Sequence, residues 1–239
     1  MSRRNLLSIA DLTNDEIEEI FELADAAEKL RADKVAGGRI MATLFYEPST
    51  RTRLSFESAM HRLGGSVISC SDMKSSSTAK GETVADTAKV VSSYADVLVV
   101  RHYWDGAVQA MAEHAGVPVI NAGDGGHEHP TQTFVDLYTI KKSCGSLNGL
   151  TIGFLGDLKY GRTVHSLAHA LSYFNPRFYF ISPKSLRMPE DYLKELKRRK
   201  TEYYEEEDLL KVSKELDILY VTRIQKERFL NPEDYKKVK

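Results

Sequence analysis

The chain has 239 residues, of which 42% are apolar and 28% charged, the balance of an ordinary globular protein with one large or two modest domains. A formal net charge of −1 argues against a nucleic-acid or membrane partner. Two cysteines without a CxxC pair exclude a disulfide framework and give no sign of zinc. The basic N-terminus has too short an apolar stretch for a signal peptide, and no run could cross a bilayer, so we expect a cytoplasmic protein.

The first quarter of the chain predicts a capped helix, a buried strand and a second helix. Thr13 and Glu16, three residues apart, form a capping box before the apolar face of the first helix. The apolar run Ile40–Phe45 predicts a buried strand, and apolar residues at helical spacing over 56–63 predict the second helix. Residues 49–53, which carry three hydroxyls and two guanidinium groups, therefore lie at a strand-to-helix turn.

That turn predicts a phosphate site. Ser49 or Thr50 can cap the first turn of the helix, and the remaining backbone N–H groups and the positive end of the helix dipole attract an anion. Arginine grips phosphate through two parallel hydrogen bonds, which gives Arg51 and Arg53 a function beyond solubility. The alternative is a capped helix with surface arginines.

The rest of the chain alternates strands and helices. We expect strands over residues 66–69, 96–100, 117–120, 150–155, 178–181 and 217–221, and helices from residues 84 and 131 and over 163–173 and 189–200. Acidic residues 205–208 follow a basic run and predict a solvated surface. The polar stretch 141–149 predicts a boundary between domains 1–143 and 144–239. The alternation predicts an α/β fold of two doubly wound domains, with parallel sheets covered by helices on both faces.

Polar clusters follow several of these strands. They are residues 49–53, Arg101, His129 with Gln132, residues 156–162, and Arg223 with Gln225. The carboxyl ends of parallel strands meet at one edge of a sheet, which is where open α/β sheets bind ligands. The clusters are rich in cations and hydroxyls and poor in nucleophiles. They predict a site that binds a polyanion and stabilises developing negative charge.

Two other kinds of site fit the sequence less well. Residues 156–163 follow a strand and open a helix as a P-loop does, but Arg162 stands where that loop needs lysine. His127, Glu128 and His129 lie in a glycine-rich turn without the helical spacing of a metal site. We therefore expect no nucleotide, no metal and no other cofactor. Taken alone, His129 fits a loop histidine bonded to backbone equally well.

The motifs resemble those of the aspartate/ornithine carbamoyltransferase family. Residues 49–53, Ser-Thr-Arg-Thr-Arg, look like its carbamoyl-phosphate signature. Residues 77–83, 129–132, 156–166 and 222–228 resemble the catalytic chains of its aspartate-using members, in the same order along the chain. The resemblance implies two α/β domains, one for carbamoyl phosphate and one for the amino acid. It also implies a homotrimer whose sites are shared between subunits, with regulatory chains as possible further partners.

The resemblance also implies the reaction and the residues that carry it. The carbamoyl group of carbamoyl phosphate moves to the amine of L-aspartate, giving N-carbamoyl-L-aspartate and phosphate early in pyrimidine biosynthesis. The implied carbamoyl-phosphate ligands are Ser49, Thr50, Arg51, Thr52, Ser76, Lys80, Arg101, His129 and Gln132. The implied catalytic residues among them are Arg51, Thr52, Lys80, Arg101 and His129. The implied aspartate ligands are Lys80, Arg162, Arg223 and Gln225. Ser76 and Lys80 match a loop that reaches into the neighbouring subunit's site.

Two alternatives stay open. Ornithine-using members share the first-domain signature, but they handle a cationic substrate with an Asp and a Ser-Met-Gly turn, where this chain has Arg223 and Gln225. A non-catalytic subunit that keeps the fold would generally lose a catalytic arginine or the loop lysine, and this chain has both. Family members continue with a His-Pro-Leu-Pro loop and further helices that this sequence does not contain. We therefore expect it to be a piece of a longer chain.

Overall fold

The computed structural model describes residues 4–29, 34–70, 81–126 and 128–224. The chain divides into two compact units, Met1–Gln132 and Thr133–Lys239. The division falls in the first turn of a helix, whereas the sequence predicts a boundary after residue 143, and that boundary stays a prediction. Within the described ranges no helix is both long and apolar enough to span a membrane.

The first unit contains a four-stranded sheet, with all strands parallel, in the order β2-β1-β3-β4. Its elements are α1 (Asn14–Lys29), β1 (Ile40–Phe45), α2 (Thr50–Arg62), β2 (Ser66–Cys70), α3 (Val84–Ser92), β3 (Val97–His102), α4 (Ala107–His114) and β4 (Val119–Asp124). The predicted strand β1 and the helix after it are confirmed. The capping box is confirmed too: Thr13 N donates to Glu16 Oε2 over 2.9 Å, and Glu16 N donates to Thr13 Oγ1 over 3.3 Å.

The two faces of this sheet carry separate apolar clusters. Leu98 and Val100 of β3 point to one face, where they join a cluster that includes Met111 of α4. Val99, between them, belongs to the cluster on the other face with Met60 of α2. Both faces are therefore covered by helices, and this explains the nearly continuous apolar sequence of the central strands.

The second unit repeats the design with the strand order β7-β6-β5-β8, again all parallel. Its elements are α5 (Pro130–Cys144), β5 (Thr151–Leu155), α6 (Arg162–Leu171), β6 (Arg177–Ile181), α7 (Glu190–Arg198), β7 (Glu202–Glu206), α8 (Leu209–Val212) and β8 (Ile218–Val221). The fully buried rings of Phe154, Phe178 and Phe180 lie on one face, with centroids 5.4 to 5.8 Å apart. Tyr179 and Ile181 pack on the other face with Val212 of α8. The predicted α/β class is confirmed.

Among the α-helices and strands named above, three were not predicted from the sequence. Helix α4 has only eight residues, and its N-cap is Gly106, which has no side chain to signal a start. Strand β7 lies at the sheet edge within a stretch for which the sequence predicts only a solvated surface. Its glutamates interrupt the alternation of apolar and polar residues that is typical of a strand. These glutamates pair with nearby cations such as Arg187 and Lys211. Helix α8 is a single turn capped by Asp208.

Candidate active site

The turn of residues 49–53 lies directly after β1, at the N-terminus of α2. Ser49 occupies the N-cap position in an extended conformation, but its hydroxyl makes no capping hydrogen bond. The expectation of a hydroxyl cap at this helix is therefore wrong, and the N–H groups of the first turn are not occupied by that side chain. A pocket of about 220 Å³ opens here, lined by Phe45, Glu47, Pro48, Ser49, Thr50 and Arg53. This end of α2 suits an anion.

A partly exposed hydrogen-bond cluster holds α2 in this orientation. Thr43 of β1 donates its hydroxyl to Glu57 Oε1 over 3.1 Å, and Ser69 of β2 donates to the same oxygen over 2.7 Å. Arg53 Nε lies 3.7 Å from that oxygen, one helical turn away. Glu57 therefore ties the helix to two strands, and its N-terminus is fixed at the carboxyl edge of the sheet.

Arg101 is the best-defined cation of the first unit. It lies in β3 opposite Phe45 of β1 and is only 9% exposed. Its Nη2 lies 2.7 Å from Glu47 Oε2, and its Nη1 donates to the backbone carbonyl oxygen of Ala122 over 3.2 Å. Gly123 has φ +130°, and a Cβ there would lie 3.0 Å from Nη1, so a glycine is needed for this close approach. The guanidinium is held in place before any ligand arrives.

The ring beside Arg101 adds no charge. His102 is 1% exposed, and its Nδ1 accepts a hydrogen bond from Trp104 N over 2.9 Å. Burial lowers the pKa of His102 below its ordinary value, so the ring is neutral at physiological pH. Of these two neighbouring side chains, Arg101 therefore carries the positive charge.

His129 immediately precedes α5 and is buried. Its Nδ1 accepts from Gln132 N over 3.4 Å, and Thr131 Oγ1 lies 3.4 Å from the same atom. With Nδ1 accepting, the ring proton is on Nε2, which can donate to a carbonyl oxygen. This geometry fits both interpretations of His129, the catalytic residue and the loop histidine that is bonded to backbone.

Glu128, the acidic residue next to His129, accepts a hydrogen bond from the N-terminal part of the chain. Glu128 Oε1 accepts from Ser8 Oγ over 3.1 Å. Across the described parts of the chain, no group of three or more His, Cys, Asp or Glu side chains could hold a metal ion, and His127 lies outside those parts.

In the second unit, Arg162 is the first residue of α6 and follows a tight loop after β5. Gly156 starts this loop with φ +117°, and a Cβ there would collide with the backbone carbonyl oxygen of Thr222. The fully buried Asp157 accepts from Tyr160 N over 2.9 Å. The loop is therefore fixed by its own hydrogen bonds and by contact with the segment after β8.

Arg223 lies on that segment, two residues beyond β8, and is exposed. Thr222 N donates to Leu155 O over 2.9 Å, which continues the pairing of β8 with β5 past the end of the strand. The segments that carry Arg162 and Arg223 are thus neighbours.

In the first unit, the predicted residues follow β1, lie near the end of β3 or follow β4, and these three strands are adjacent in the sheet. Ser76, Lys80 and Gln225 lie outside the described residues.

A larger cavity of about 480 Å³ lies beside α7 and β7. Among its cations, Arg187 pairs with Glu205 and Glu207, Lys194 pairs with Asp191, and Lys197 lies over the ring of Tyr203. We assign no function to it.

Comparison with known proteins identifies the family. The model for the aspartate/ornithine carbamoyltransferase carbamoyl-P binding domain matches residues 4–142, and the model for the family's Asp/Orn binding domain matches residues 148–239. The chain belongs to the aspartate/ornithine carbamoyltransferase family. The resemblance predicted from its motifs is confirmed.

Individual relatives agree with this result. The aspartate carbamoyltransferase catalytic subunit of Thermococcus kodakarensis is 56% identical, over 99% of this chain and 77% of its own length. The solved catalytic subunit of Methanocaldococcus jannaschii aspartate transcarbamoylase is 54% identical, covers 98% of this chain and 78% of its own, and has a TM-score of 0.91. The Trypanosoma cruzi enzyme, solved with N-(phosphonacetyl)-L-aspartic acid, is 40% identical over 95% of this chain and 74% of its own, with a TM-score of 0.89.

Some residues of this carbamoyltransferase site were missed from the sequence. Glu47, two residues before the predicted phosphate turn, was not singled out, although it is the carboxylate partner of Arg101. The sequence contains a signal for this pair, because Glu47 follows one predicted strand and Arg101 lies at the end of another. The α/β pattern predicts that such strand ends lie close together. Glu57 and Gly123 carry no such signal, since their roles depend on contacts between elements.

Proposed function

We propose that this protein is the catalytic chain of an aspartate carbamoyltransferase. It transfers the carbamoyl group of carbamoyl phosphate to L-aspartate, giving N-carbamoyl-L-aspartate and phosphate, an early step of pyrimidine biosynthesis. The observation that carries the proposal is the match of nearly the whole chain to catalytic subunits of that name. The Trypanosoma cruzi enzyme has been solved with carbamoyl phosphate and with aspartate, which supports the same two substrates here.

Carbamoyl phosphate binds at the first unit. Ser49, Thr50, Arg51 and Thr52 hold the phosphate at the N-terminus of α2, where the dipole and N–H groups favour an anion. Arg101 bridges the phosphate and the carbonyl oxygen, and its fixed position removes the cost of ordering a long side chain. Gln132, at the first turn of α5, binds the carbamoyl amide.

The reaction follows from these charges. The neutral amine of aspartate attacks the carbamoyl carbon, the carbonyl oxygen becomes an oxyanion, and the C–O bond to phosphate then breaks. Arg101, Thr52 and His129 Nε2 stabilise the oxyanion, which is the largest single contribution in acyl transfer of this kind. The departing phosphate is basic enough to take the amine proton, so no protein base is needed. Arg162, Arg223 and Gln225 bind the aspartate carboxylates.

The active assembly is a homotrimer in the cytoplasm, to which regulatory chains can add. Ser76 and Lys80 complete each site from the neighbouring subunit. These statements rest on the family resemblance and on the sequence.

The acceptor amino acid tests the activity. With saturating carbamoyl phosphate, we expect product from aspartate and none from ornithine, and tight binding of N-(phosphonacetyl)-L-aspartate by calorimetry. Use of ornithine in place of aspartate would overturn the substrate assignment. Failure to bind the analogue at all would point to a non-catalytic subunit.

Mixed trimers test the shared site. Lys80→Ala and Arg101→Ala proteins should each be nearly inactive, because each change spoils every site in its own trimer. After dissociation, mixing and reassembly, activity should return at interfaces that join an intact Arg101 to an intact Lys80. Hybrid trimers that form by native mass spectrometry but stay inactive would show that Lys80 acts within its own chain.

A further inference from the structure

One phenol in the second unit joins three elements. Tyr220 lies in β8, and its hydroxyl donates to Asp136 Oδ2 of α5 over 2.9 Å. Burial, followed by the charge of Asp136, raises the pKa of Tyr220, and the nearby Thr163 hydroxyl of α6 opposes this rise. The phenol therefore keeps its proton and remains a donor.

This junction lies beside the two segments that carry Arg162 and Arg223. Thr163 directly follows Arg162, and Tyr220 lies three residues before Arg223. At the other end of the loop, Gly156 touches the carbonyl oxygen of Thr222, and Thr222 N bonds to Leu155 O. The loop that leads to Arg162 therefore contacts the residue after β8 at its start and lies near Tyr220 of β8 at its end.

We propose that Tyr220 is a positioning residue for the dicarboxylate substrate, because it fixes the spacing between the segments that carry Arg162 and Arg223. This inference rests on the proposed function. Two guanidinium groups grip two carboxylates best when their separation is set in advance, since ordering them on binding costs affinity. β8 is an edge strand among the described elements, so the phenol fastens a strand that pairs with a neighbouring strand on one side only.

A purely structural phenol is available for comparison in the same sheet. Tyr179 of β6 donates to Glu215 Oε2 over 2.6 Å, and this hydrogen bond raises the pKa of Tyr179 to about 12. Neither Tyr179 nor Glu215 adjoins a proposed substrate-binding residue in the sequence. Tyr179→Phe therefore removes a similar phenol–carboxylate bond without touching the arginine segments.

The test compares Tyr220→Phe with Tyr179→Phe in the full-length protein. For Tyr220→Phe we expect the KM for aspartate to rise about tenfold, the effect of an interaction of about 1.4 kcal/mol, while kcat falls less and the Kd of carbamoyl phosphate is unchanged. For Tyr179→Phe we expect both substrate constants to stay at their wild-type values.

Two further variants separate positioning from folding. Thr163→Val removes the second hydroxyl of the junction and should raise the KM for aspartate in the same way, so it replaces Tyr220→Phe if that protein does not fold. Asp136→Asn keeps an acceptor for the phenol and should retain most of the affinity. A wild-type protein that does not use aspartate overturns the proposed function. An active wild type whose KM for aspartate is unchanged by both Tyr220→Phe and Thr163→Val overturns this inference alone.

Discussion

The two units place their cations in different ways. In the first unit, Arg101 lies inside a strand, is almost fully buried and is paired directly with Glu47 at 2.7 Å. In the second, Arg162 opens a helix and Arg223 lies exposed beyond an edge strand. In that unit, close contacts between elements are also made by their neighbours, Gly156 and Tyr220.

The difference shows two physical routes to a preorganised site. A buried guanidinium must be paired, because an uncompensated charge in a protein interior is costly, and the pairing also fixes its orientation. An exposed guanidinium has no such constraint, so its position depends on the backbone that carries it. Substitutions in the first unit should therefore act at the arginine itself, whereas in the second unit substitutions of neighbours should act as well.

The largest effect is expected at Arg101. Arg101→Ala removes the cation that stabilises the oxyanion and should lower kcat by roughly a thousandfold, with a further loss of carbamoyl-phosphate affinity. Arg39→Ala is the matched control, since Arg39 also forms a 2.7 Å ion pair, with Asp96, but on an exposed surface at the other end of β1. Steady-state kinetics should show Arg39→Ala unchanged, and similar losses in both variants would argue against a special role for Arg101.

The second effect concerns the acceptor substrate. Arg223→Ala should weaken aspartate binding by about 2–3 kcal/mol, or roughly a hundredfold, because a carboxylate loses its charged partner. Carbamoyl phosphate, measured by calorimetry, should bind nearly as before. Arg177→Ala removes another exposed arginine of the same sheet, paired with Glu202, and should change neither. An equal loss for both substrates in Arg223→Ala would contradict the division of substrates between the units.

A substitution of Gly156 tests whether a residue near the arginines determines the geometry of the site in the second unit. Gly156→Ala forces a Cβ against the carbonyl oxygen of Thr222, so it should reduce the free energy of unfolding by about 1–3 kcal/mol more than a glycine replacement in open space. Gly149→Ala provides that reference, because Gly149 also has a positive φ but nothing within 4 Å of its Cβ position. Denaturant titration compares the two, and aspartate affinity should fall only in Gly156→Ala. Equal destabilisation by Gly156→Ala and Gly149→Ala would argue against a loop that is held in place by contact with Thr222.

The sequence predicted the elements whose signals are local. The continuous apolar run of β1 and the reciprocal pattern of Thr13 and Glu16 are both visible within a few residues, and both are confirmed. The partner of Arg101 and the junction at Tyr220 depend on contacts between residues that are 54 and 84 positions apart, which periodicity does not report. The roles of the individual site residues stay predictions.

The smallest expected effect is a pH dependence of stability that originates in the second unit. His169 Nε2 lies 3.0 Å from Arg199 Nη2, and burial, then the charge of Arg199, lower the pKa of His169 below its ordinary value of 6.5. Above pH 6.5 the ring is neutral in both the folded and the unfolded protein. Below it, the unfolded protein takes up a proton that the folded protein does not, so stability falls by at most about 1.4 kcal/mol per pH unit.

His169→Gln isolates this contribution, because the amide oxygen can still accept from Arg199 but does not titrate. The unfolding free energy of the wild type minus that of His169→Gln should fall as the pH drops from about 7.5 to about 5.5, since only the wild type loses the contribution of His169. Glu195, whose pKa the Arg198 hydrogen bond lowers to about 2, stays charged throughout this range. His102 of the first unit has its pKa lowered by burial as well, but it is present in both proteins and cancels in the difference. Parallel curves would mean that His169 keeps an ordinary pKa in the folded protein despite its burial.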